Sequence, residues 1–128
     1  MALFHDRLKK MKNIKMILIY IILVPAVSFA MGCGGVIEGP RTATVNLTWD
    51  APSQNADGTT LIDIAGYRVY FGETPLTYPN SVMIFGTATS ASIGNLRYDR
   101  TVYFAVAAFN IYGYLSSYSN EFQITLPK

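Results

Sequence analysis

Histidine is almost missing from this chain of 128 residues: His5 is the only one, and Cys33 is the only cysteine. With one cysteine, no intrachain disulfide can form. With no histidine after position 5, Ser-His-Asp and Cys-His catalysis lack their base, and zinc sites built on nitrogen and sulfur lack their ligands. Charge is scarce too, at 14% of residues, and unevenly placed. Residues 1–15 hold five of the ten basic side chains (Arg7, Lys9, Lys10, Lys12, Lys15) against one acid, Asp6, and residues 16–37 carry no charge. From 33 to 128, five basic residues meet seven acids, a net charge of −2. No basic stripe remains, which argues against a nucleic-acid partner. Paired carboxylates are the one catalytic chemistry left, from Asp50, Asp57, Asp63 or Glu73, but nothing in the spacing sets two of them across a cleft. The sequence reads as non-catalytic and without a cofactor.

What is present begins with a leader. A positive stretch ends at Lys15, an uncharged run Met-Ile-Leu-Ile-Tyr-Ile-Ile-Leu-Val fills 16–24, and small residues follow Pro25. This is the three-part pattern of a secretory signal over residues 1–32, with Met11 an alternative start. Cys33 lies just beyond, in Ala-Met-Gly-Cys at 30–33, which resembles the bacterial lipobox, in which cleavage before the cysteine frees its sulfur for acylation. Gly32 fits that pattern, while Ala30 stands where leucine is preferred and Met31 is uncommon. Three readings fit the segment. Lipid attachment at Cys33 is favoured, because it gives the lone cysteine of an exported chain a purpose. The others are cleavage after Ala30, giving a secreted or periplasmic protein, and an uncleaved membrane anchor. The uncharged run is short for a spanning helix, and Pro25 interrupts it. The expected address is the cell envelope, lipid-anchored at the outer or inner membrane. Gly34, where an aspartate would signal inner-membrane retention, leans toward the outer one.

A tether over 33–41, carrying Gly34, Gly35, Gly39 and Pro40, precedes the domain. Beyond it the apolar residues alternate. Val45, Leu47 and Trp49 share one strand face, then Tyr67, Val69 and Phe71 another, with Gly72 as a stop. Residues 81–85 and 87–93 are expected as two further strands, with Asn95 turning the chain. Val102, Phe104, Val106 and Ala108 point one way in the next strand, and Phe122, Ile124 and Leu126 do so in the last. No helical period follows the leader, so short strands separated by turns predict an all-β antiparallel sandwich.

Trp49 at the end of its strand, Gly66-Tyr-Arg-Val-Tyr70, and Leu96 leading into Tyr103-Phe-Ala-Val-Ala-Ala-Phe-Asn110 with Gly113, Ser116 and Ser117 together resemble a fibronectin type III domain over 42–127. Residues 55–58 and 63–67 are similar to the variant found in exported bacterial proteins. The resemblance implies an immunoglobulin-like sandwich serving adhesion, or binding a protein or polysaccharide; a spacer or accessory subunit of an envelope complex is the alternative. Two positions depart from the pattern. Only residues 39–43 are available for the family's first strand, and Val102 stands where its corner tyrosine is expected, with Tyr98 and Tyr103 nearby.

Two clusters offer binding chemistry. Asn55, Asp57 and Asp63, with Thr59, put oxygen atoms at spacings a hard cation can use, but the closing glutamate is absent and an Asx turn explains them as well. Asn46-Leu-Thr48 matches a glycosylation acceptor, but it lies within a strand. The loop 110–120 has three tyrosines, Tyr112, Tyr114 and Tyr118, among glycine, serine and Asn110, the composition of a binding loop. The alternative is that Tyr118 packs back on the sandwich and the others cover strand ends. Oligomeric state is not readable from the sequence.

Overall fold

The computed structural model describes residues 16–22, 41–53 and 60–128. Seven strands form two sheets: β1 (Met16–Ile22), β2 (Thr42–Trp49), β3 (Ile64–Gly72), β4 (Asn80–Phe85), β5 (Ser90–Arg97), β6 (Thr101–Asn110) and β7 (Phe122–Thr125). One sheet runs β1-β2-β5 and the other β4-β3-β6-β7, with every paired neighbour antiparallel.

The alternation in β2 is strict, and Ala43, Val45, Leu47 and Trp49 are buried while the residues between them are partly exposed. β3 contributes Tyr67 and Val69, β6 contributes Val102, Phe104, Val106 and Ala108, and Ile93, Leu96 and Leu126 complete one continuous core. Large rings meet at its centre. Trp49 tilts against Tyr67 at 5.3 Å between centroids, and Phe71 stacks on Phe104 at 6.0 Å. Burying such rings contributes roughly 1.5–3 kcal/mol each by area.

Two departures from the sequence expectation have physical causes. The first strand does not come from residues 39–43, since Thr42 and Ala43 already belong to β2. Its place beside β2 is taken by β1, a segment that the sequence reading assigns to the leader, with a one-residue slip between Leu18 and Tyr20. An uncharged isoleucine-rich run satisfies a sheet edge as readily as a leader, and periodicity does not separate the two. Second, β5 begins at Ser90 and ends at Arg97, three residues later at its start and four at its end than the expected 87–93. Asn95 sits inside that strand at φ 58° and does not end it; the turn lies beyond, where Asp99 has φ 56°. Val102 is a core residue, as its strand alternation predicts, and Tyr98 packs against the core. The corner is closed by main-chain bonds, Asp99 N to Pro127 O and Leu126 N to Arg100 O, each 2.8 Å.

The register places the ends of the sandwich. Thr42 pairs with Arg97, and Thr101 pairs with Thr125, at one pole. Asn110 pairs with Ile64 at the other, the pole where β2 also ends. β6 alone spans about 33 Å between them. Among the described residues no helix is long and apolar enough to cross a membrane.

Candidate functional site

Asn110 closes β6 and organises everything beyond it. Its Oδ1 accepts hydrogen bonds from the Tyr112 and Tyr114 amides, both at 3.0 Å, and its Nδ2 donates to Asp63 Oδ2 at 3.4 Å. Its amide donates to Tyr114 O, and its carbonyl accepts from the Gly113 amide. Gly113 takes φ 83°, a left-handed conformation that glycine adopts without steric cost. The Ile111 amide donates to Asp63 O at 3.2 Å, tying this turn to the segment entering β3. Asn110 is 2% exposed, so the structure makes it the support of the loop and not a contact residue. Tyr112 and Tyr114 are raised above it, 64% and 40% exposed.

The rest of the tyrosine-rich loop is an irregular edge segment along β6. Ser116 and Ser119 repeat one device. Each amide donates to a β6 carbonyl, Ala108 O or Val106 O, at 2.8 Å, while its hydroxyl accepts from the amide of the same β6 residue at 2.9 Å. A serine side chain thus stands in for a main-chain acceptor, and buried amides of β6 stay satisfied where no regular strand pairs with them. This brings Tyr118 over the outer face of the four-stranded sheet. It meets Tyr70 edge-on at 4.9 Å and Tyr78 at 5.6 Å. Tyr118 therefore lies on the sheet face, apart from the turn that carries Tyr112 and Tyr114.

Between that turn and the β4 edge is a cleft of about 380 Å³, lined by Arg68, Met83, Phe85, Phe109, Ile111 and Leu115 among others. The size falls in the range of small-ligand sites, about 300–1,000 Å³. Phe85 meets Phe109 edge-on at 5.7 Å. Gly66 makes this possible: a Cβ there would lie 2.2 Å from Ile84 O and 2.6 Å from the Phe109 ring. The Arg68 guanidinium lies 5.9 Å from the centre of the Tyr70 ring, and its buried Nε has no hydrogen-bond partner among the described residues. The sequence reading missed this cleft. One signal was available, the apolar Met83 and Phe85 at alternate positions of a short strand.

Cys33, Asn55 and Asp57 lie outside the described residues. Asp63, the third of the cation candidates, accepts from Asn110. Among the described residues no three His, Cys, Asp or Glu side chains cluster to hold a metal.

Set against known proteins, the chain matches no family model, and no curated protein matches it. Solved structures do. It is similar to the fibronectin type III domains FN1–FN3 of chicken CNTN1, with 18% identity and a TM-score of 0.54 over 66% of this chain and 27% of that one. The third fibronectin III domain of the human KIAA0343 protein aligns with 15% identity and a TM-score of 0.53, over 77% of this chain and 94% of that domain. The architecture is a fibronectin type III sandwich.

Proposed function

We propose that this chain is a non-catalytic fibronectin type III module, held at a bacterial cell envelope by lipid on Cys33, that binds a protein or polysaccharide through the Tyr112–Tyr114 pole. The observation that carries the reading is the placement of two exposed tyrosines on a turn fixed by a buried asparagine. A turn whose backbone is already held in place loses little freedom on binding, and tyrosine is enriched among residues that dominate interfaces. With residues 1–32 removed, the chain from Cys33 would enter the domain at Thr42, on the pole opposite these rings, which would then face away from a bound membrane.

The spacer reading has its own support, since Asn110 is buried and Tyr118 lies against Tyr70 on the sheet face. The double substitution Tyr112→Ser/Tyr114→Ser decides between the two. The binding reading expects loss of retention on native envelopes and on isolated envelope polysaccharide, with a melting temperature within about two degrees of the parent. A melting temperature that falls with retention intact assigns the rings to packing.

A further inference from the structure

The Arg68 cleft deepens that reading by giving the same pole a ligand chemistry. Its walls are apolar on both sides, Met83 and Phe85 from β4 and Ile111 and Leu115 from the turn, over Phe109. Phe85 is 73% exposed and Ile111 66%, so the rim is open. One cation faces this apolar space. Arg68 forms no ion pair among the described residues, while the nearby carboxylate of Asp63 is engaged by Asn110. A guanidinium can offer two parallel donors to a carboxylate, the strongest geometry available to it.

The edge beside the cleft is unpaired as well. β4 is the last strand of its sheet. Gly86 N donates to Ala65 O, and the register carries that bonded pairing on to Ile84, Val82 and Asn80. By antiparallel alternation, the main-chain groups of Ser81, Met83 and Phe85 point away from β3. An extended backbone can pair with them.

We propose that the cleft receives an extended peptide segment of a protein partner, with one bulky apolar side chain between Phe85 and Leu115 and, two residues along and so on the same face, a carboxylate on Arg68. This rests on the binding reading of the tyrosine pole, and it adds the charge and shape that the partner must present. The apolar group fills the cleft; the carboxylate lies against the guanidinium.

The test is an amide-resolved NMR titration of the full chain with 4-phenylbutanoate and with its neutral amide. The acid should shift Arg68, Phe85, Phe109 and Leu115 and bind at least tenfold more tightly than the amide. In Arg68→Gln that preference should vanish, and in Phe85→Ser both compounds should bind weakly, each variant keeping the parent melting curve. A capped hexapeptide, Thr-Val-Phe-Thr-Asp-Val, should bind more tightly than the acid and also shift Ser81 and Met83. Equal binding of acid and amide, or shifts confined to other surfaces, overturns the site. A hexapeptide no tighter than the free acid overturns the peptide as occupant. Failure of the tyrosine reading shows separately, as envelope retention unchanged in Tyr112→Ser/Tyr114→Ser.

Discussion

At the scale of single residues, Trp49 and Tyr78 show how differently aromatic rings are used here. Trp49 is 3% exposed and packs on Tyr67, so Trp49→Ala should cost on the order of 3–5 kcal/mol, the usual range for a buried large ring. Chemical denaturation measures this directly; an unchanged midpoint would mean the ring is not part of the core. Tyr78 is held at the surface by the Glu121 carboxylate, which accepts from its hydroxyl and from the Leu76 amide. Burial, and then this bond to a carboxylate, raise its pKa above the ordinary 10.0. A folded state that keeps a proton the unfolded chain gives up is stabilised below about pH 10, and loses that stability as pH rises toward the raised value. The melting temperature should therefore fall above pH 10, and Tyr78→Phe should make the fall shallower. Tyr67, raised by burial alone, leaves part of the fall in place. An identical alkaline profile in the phenylalanine variant would remove Tyr78 from the account.

At the scale of elements, the sequence is most legible where one face is buried and the other is not. β2 follows its alternation residue by residue, and β3 does so from Tyr67 to Tyr70. In β6 the inward residues are legible, but Ala105 and Ala107 on the other face are fully buried too. Periodicity does not reveal that cover, because it comes from a segment bonded through the hydroxyls of Ser116 and Ser119. The tyrosine-rich loop therefore reads as a single loop, and the structure divides it into a tight turn and an edge segment. Asn110 is the hinge of that division. Asn110→Ala removes an acceptor shared by two amides, a loss of about 1–3 kcal/mol where they stay shielded from water. Hydrogen exchange at Tyr112 and Tyr114 should quicken while that of β3 changes little. Uniform quickening across the sheet would place Asn110 in the core instead. The Arg68 cleft was not legible, since it needs the β3–β4 register and the close approach that Gly66 permits.

At the scale of the whole molecule, the proposed anchor and the observed β1 make a joint expectation. Removal of residues 1–32 takes β1 with it and uncovers the outer edge of β2, and open edges invite pairing with other chains. Cys33→Ser should abolish labelling by a fatty-acid analogue and release the domain from membranes or leave an unprocessed precursor. Labelling that persists in the serine variant excludes that cysteine as the attachment point. The placement of Thr42 and the tyrosine turn at opposite poles has a mechanical side. A pull on a ligand held at Tyr112, resisted at the anchor, runs along the strands and across their hydrogen bonds. Bonds perpendicular to the load yield together in shear and do not open one at a time. Such a module resists tension best along the axis on which an anchored receptor would be pulled.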